Sequence, residues 1–114
     1  MKNKTGSLAE KIAAKWLIHK GFKIVDKNVW LAKYGEIDII AKKGSKYHFI
    51  EVKALASGTE FSPEINFTKK KQKKVEILAQ YFANKNRMKD FQVDLLTIVI
   101  SEKRAKIRYY PNIQ

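Results

Sequence analysis

The chain has 114 residues, with 24 Lys and Arg against 11 Asp and Glu, a formal net charge of +13, and 45% hydrophobic content. This composition describes one basic domain, spanning residues 1–114, with enough apolar material for a small core, and it excludes a disordered polycation. The absence of Cys excludes disulfides, Cys-ligated zinc, iron–sulfur clusters and thiol catalysis, and two His, His19 and His48, are too few for a His-rich metal site.

The first apolar set, Leu8, Ala9, Ile12, Ala13, Trp16 and Leu17, has the spacing of one helix face. Ser7 is the expected cap of that helix and Gly21 its expected end. Glu10, Lys11 and Lys15 interrupt the stretch, so neither a signal peptide nor a membrane span is expected, and a cytoplasmic location with no membrane partner follows.

Phe22 to Trp30 alternates and is rich in β-formers, which predicts a strand. Glu36–Ala41 and Tyr47–Lys53 are two further strands, joined by a turn over Lys42–Lys46, so that an antiparallel meander is expected. Leu55 to Thr68 reads as a loop, with Thr68 capping a second helix over Lys69–Asn84 whose apolar positions are Val75, Leu78, Ala79 and Phe82. Val93–Ile100 is a near-continuous apolar run, the pattern of a central strand covered on both faces. Lys106–Tyr110 supplies the last strand. The order α-β-β-β-α-β-β predicts an α/β fold, with a mixed sheet flanked by helices and its fourth strand reached through a right-handed helical crossover.

A charge of +13 on so short a chain attracts polyanions, and nucleic acid is the expected partner. Lys69, Lys70, Lys71, Lys73 and Lys74 crowd the start of the second helix, where the macrodipole disfavours cations by up to about 1 kcal/mol each. They are read as a rail for the phosphate backbone, with Gln72 as a candidate contact near the reacting phosphate. The alternative is a solvated lysine face.

Strand alternation places Glu36, Asp38 and Ile40 on one face, and Tyr47, Phe49, Glu51 and Lys53 on one face of the next strand, with Ile37, Ile39, Ile50 and Val52 pointing the other way. If the acidic faces of the paired strands coincide, Asp38 and Glu51 are close enough to hold one hard divalent cation, Mg²⁺ or Mn²⁺. Lys53 would then orient a water or steady charge on a phosphate. The competing reading makes Asp38 and Glu51 solvent-side partners of lysines, contributing about 0.2 to 1 kcal/mol each. Glu10 is either the acid of a capping box with Ser7 or a further acid reaching the cation. His19 is read as a helix-end residue, His48 as structural, Trp16 and Trp30 as core, and Tyr109 and Tyr110 as edge-strand packing.

The blocks Gly6-Ser-Leu-Ala9-Glu10-Lys-Ile-Ala13, Gly21-Phe-Lys-Ile, Asn28, Gly35-Glu36-Ile37-Asp38-Ile39-Ile40-Ala41, Phe49-Ile50-Glu51-Val52-Lys53 and Lys71-Gln72-Lys73-Lys74 occur in order over most of the chain. Together they resemble the YraN-like family of predicted bacterial endonucleases, which looks like the PD-(D/E)xK superfamily with its restriction-endonuclease-like fold, shared with archaeal Holliday junction resolvases. The resemblance implies Asp38, Glu51 and Lys53 as the motif acids and lysine, Glu10 as an additional acid from the first helix, and Gln72 as a polar position near the metal. Ile37 stands where the superfamily name has Pro. Ala54-Leu55 replaces the Thr-Arg often found after the E-V-K block, and Gln92-Val93-Asp94 replaces Arg-Phe-Asp.

The expected activity is metal-dependent hydrolysis of phosphodiesters in DNA, with branched DNA as one substrate class and a homodimer needed if four-way junctions are cut symmetrically. A non-catalytic nucleic-acid-binding module on the same fold is the alternative.

Overall fold

The computed structural model describes residues 4–31, 34–58 and 69–113. Within them the elements are α1 (Lys4–His19), β1 (Lys23–Leu31), β2 (Gly35–Lys43), β3 (Lys46–Leu55), α2 (Lys69–Lys85), β4 (Phe91–Ile100) and β5 (Ala105–Tyr110). The five strands form one mixed sheet in the order β1-β2-β3-β4-β5. Only β3 and β4 pair in parallel, and α2 makes the connection between them. The result is an α+β, restriction-endonuclease-like architecture, with one helix on each face of the sheet among the described residues. None of the described helices is long and apolar enough to cross a membrane.

Each face has its own apolar cluster. Ala9, Ala13, Ala14 and Leu17 of α1 pack on Ile39, Ala41, Ile50, Leu96 and Ile98. Val75, Leu78, Ala79 and Ala83 of α2 pack on Ile37, Ile40, Phe49, Val93 and Leu95. Consecutive β4 residues feed both clusters, which is why residues 93–98 are all buried and why that strand reads as an unbroken apolar run. Full burial of a side chain such as Leu17 or Phe49 stabilises the fold by about 1.5–3 kcal/mol.

Both helices end in the same backbone device. The Phe22 amide donates to the Leu17 carbonyl (2.9 Å) and the Gly21 amide to Ile18 (3.0 Å), with Gly21 at φ 95°. At the end of α2 the Met88 amide donates to Ala83 (2.8 Å) and Arg87 to Asn84 (3.3 Å), but here Arg87 takes the left-handed position, at φ 56°. These are Schellman motifs, in which the left-handed residue normally is glycine.

Several expectations are corrected. The helix begins at Lys4, so Ser7 lies inside it rather than at its cap, and the capping-box role for Glu10 disappears. The β2–β3 connection is a two-residue hairpin, since Lys43 pairs with Lys46 and Gly44 sits at φ 62°. Trp30 is 63% exposed rather than core. The proposed cap Thr68 lies outside the described residues.

Asp94, at the start of the buried run of β4, has no exposed surface, yet its carboxylate is fully engaged. Oδ1 accepts from Gln92 Nε2 (2.6 Å) and the Asn112 amide (2.8 Å). Oδ2 accepts from His48 Nδ1 (2.6 Å) and from the Tyr109 hydroxyl. Burial, reinforced by the bond to Asp94 and its charge, pushes the Tyr109 hydroxyl far above its ordinary value. Around this centre, Trp16 and Phe22 pack at tilted angles against Tyr109, and Phe22 meets His48 edge-on. This gives His48, Trp16 and Tyr109 structural places.

Candidate metal centre

The site arises where the alternation of two strands slips at the same level. Ile37 belongs to the α2-side cluster and Ile39 to the α1-side cluster, although regular alternation would put both on one face. Between Lys27↔Ile39 and Val29↔Ile37 the β1–β2 register is unchanged, which places Asn28 opposite Asp38. Asn28 adopts φ 54°, a left-handed conformation that Asn tolerates better than most residues. Both strands therefore carry an irregularity at one level, and the register survives. The expectation that Ile37 and Ile39 share a face fails at this slip.

The slip turns the Asn28 and Asp38 side chains to α1. Asn28 Nδ2 donates to Glu10 Oε1 at 2.6 Å. Asp38 Oδ2 accepts the Val52 amide at 2.8 Å, where the β2–β3 ladder, last paired at Ile39↔Ile50, has opened. Glu36, two residues before Asp38, completes a group of three acids with Asp38 and Glu10, one carboxylate oxygen of each lying within 4.8 Å of the others. Glu10 and Asp38 are buried, 7% and 2% exposed, and Glu36 is half-buried.

The structure thus brings together Asp38 and Glu10 with Glu36, an acid that the sequence reading noted on the strand but did not assign to a metal. Glu51 is not one of the three. Alternation along β3, from Phe49 on the α2 side and Ile50 and Val52 on the α1 side, puts Glu51 and Lys53 on the α2 side. They flank the Val52 amide that holds Asp38. The lysines Lys69, Lys70, Lys71, Lys73 and Lys74 form the exposed first turns of α2, with Gln72 half-buried among them. A crossover between parallel strands runs back along the sheet, so this end of α2 lies towards the end of β3 that carries Lys53. Acids and lysines consequently occupy the same end of the sheet.

Carboxylates gathered this closely repel one another. A divalent cation relieves that repulsion. The donor set is all oxygen, which fits Mg²⁺ or Mn²⁺ and does not fit a soft metal. The Asn28 and Val52 donors hold two of the carboxylates in place, as outer partners do in metal sites.

Comparison with known proteins gives a family without an assigned activity. The profile of the uncharacterised protein family UPF0102 matches residues 9–98. A UPF0102 protein of Wolinella succinogenes is 41% identical over 114 residues, covering 99% of this chain and 98% of its own. Another, from Aliarcobacter butzleri, is 37% identical over 101 residues (87% and 89%), and one from Helicobacter pylori 39% over 109 residues (95% and 89%). Matches of this extent agree with the YraN-like resemblance in the sequence, and the chain belongs to the UPF0102 family.

Proposed function

We propose that the protein is a Mg²⁺- or Mn²⁺-dependent nuclease that hydrolyses phosphodiester bonds in DNA. The observation that carries this reading is the convergence of Glu10, Glu36 and Asp38 from α1 and β2 on one point. In a chain with +13 net charge, three of the 11 acids are gathered there against their mutual repulsion.

Glu10, Glu36 and Asp38 would hold the ion through carboxylate oxygens. A divalent cation at that point supplies polarisation of a phosphate oxygen and a lowered pKa for water. Asn28 fixes the Glu10 carboxylate, and the Val52 amide fixes Asp38. Glu51 and Lys53, on either side of that amide, are the next groups along β3. Lys53 is assigned to stabilising charge that develops on the phosphate, and Glu51 to completing the acidic set when substrate is bound. The Lys69–Lys74 run, with Gln72, grips the backbone on the other side of the sheet end.

Calorimetric titration of Mn²⁺ into the wild type, Asp38→Ala and Glu36→Gln, with and without a short branched DNA, tests the site. Saturable binding lost in both variants is expected, together with Mg²⁺-dependent cutting that Asp38→Ala abolishes while DNA binding persists. Absence of saturable binding under both conditions, or cutting by Asp38→Ala at the wild-type rate, overturns the proposal and leaves a basic binding module.

A further inference from the structure

Trp30 is 63% exposed, the most exposed of the large hydrophobic side chains among the described residues. It lies on β1, an edge of the sheet, and pairs directly with Glu36 of β2. Cross-strand partners in an antiparallel ladder project from the same face, so the indole stands beside one of the three clustered acids. Lys27, exposed, pairs with Ile39, and Ile39 packs on α1. Lys27 and Trp30 therefore share the α1 face of the edge strand, on either side of the Asn28 that bonds Glu10. Tyr34, 40% exposed, adds a second aromatic at the same end of the β1–β2 pair.

Leaving an indole in water forgoes a large part of its burial free energy. A second copy of this chain is a poor occupant, because two surfaces of +13 charge repel. A polyanion with flat apolar faces is a good one. Resting on the nuclease reading, we infer that Trp30 is a stacking platform for an unpaired base next to the phosphate that a cation at Glu10, Glu36 and Asp38 would hold. Bases inside a duplex present no free face to an indole, whereas unpaired ones stack on aromatic side chains irrespective of sequence. The substrate class that follows is DNA with at least one unpaired nucleotide beside the scissile phosphate: a single strand, a flap or a branch point. Lys27 would meet the adjoining phosphate.

The test uses the full chain in chelator, so that neither metal binding nor cleavage enters the readout. Wild type, Trp30→Ala and Trp30→Phe are titrated against fluorescein-labelled oligo(dT) and against a blunt duplex of the same length. Trp30→Ala is expected to weaken oligo(dT) binding by about 5- to 150-fold, the range for loss of one stacked base, with duplex affinity unchanged. Trp30→Phe retains most of the single-strand affinity. Equal losses on both probes, no loss on either, or a change in sedimentation behaviour of Trp30→Ala that marks the indole as a protein interface, each overturn the inference. A wild-type preference that depends on Trp30 supports it even where the Mn²⁺ titration fails, so the two proposals stand or fall on separate measurements. Because Trp30 is mostly in solvent, its variants should melt with the wild type, which controls for folding.

Discussion

Asp38 Oδ2 and the Val52 amide are 2.8 Å apart, so a side chain completes the join between β2 and β3 where the backbone ladder has stopped. Asp38→Ala therefore removes a structural partner as well as a candidate ligand, and leaves a half-buried amide without this acceptor, at a cost of about 1 kcal/mol or more. Asp38→Asn keeps an acceptor for that amide. Urea denaturation should place Asp38→Asn within about 1 kcal/mol of wild type, with Asp38→Ala clearly below it.

The three acids should destabilise the metal-free protein. Glu36→Gln is expected to raise the melting temperature in chelator by a few degrees, about 1 kcal/mol corresponding to about 4–8 °C in a small domain. Mn²⁺ at about 100 times its dissociation constant should add about 2.7 kcal/mol to the wild type and much less to Glu36→Gln. Melting curves with and without Mn²⁺ decide this.

Asn28 combines a left-handed backbone with a bond to Glu10. Asn28→Gly keeps the backbone and removes the amide, whereas Asn28→Ala loses both. Asn28→Ala should be less stable than Asn28→Gly by about 1 kcal/mol, and both should bind Mn²⁺ more weakly than wild type. Equal stability of the two variants would show that the left-handed conformation is not a constraint.

Tyr109 gives a pH signature. Its folded-state pKa is raised above 10.0, so above pH 10 the unfolded chain loses this proton while the native protein keeps it. The stability contributed by Tyr109 is present below pH 10 and declines above it, by about 1.4 kcal/mol per pH unit. Tyr109→Phe should be less stable than wild type at pH 8, and the gap should narrow between pH 10 and 11. Denaturant midpoints for both proteins across that range cancel the shared titration of the lysines.

Arg87 holds the left-handed position that Gly21 holds in α1. Arg87→Gly should stabilise the protein by about 0.5–1 kcal/mol, since the Arg87 side chain is exposed and its backbone is strained. An unchanged or lower urea midpoint would count against the motif's strain.

Local pattern made much of this fold legible. The 3.6-residue spacing through Ala9, Ala13 and Leu17 and the unbroken apolar run of β4 correspond to burial that each element achieves with its immediate layer. The slip at Asn28 and Asp38 was not legible, because no Gly or Pro marks it and a period-two reading carries straight through. That slip moved Asp38 towards Glu10 and away from Glu51, while Glu36, which alternation already puts on the face of Asp38, joined it in the acidic group. Trp30 was misread for a related reason: alternation gives the face of an edge strand but not whether anything covers that face. The Asp94 centre was invisible because its partners, His48, Tyr109 and Asn112, come from β3, β5 and the chain beyond it.

Those partners also tie the middle of the sheet to its C-terminal edge. Asp94 needs the Tyr109 hydroxyl and the Asn112 amide to satisfy a fully enclosed carboxylate, and the Ile113 amide donates to the Val93 carbonyl. Fraying of the last strand would leave that charge enclosed without two of its donors, so the edge strand is held as firmly as the centre it serves.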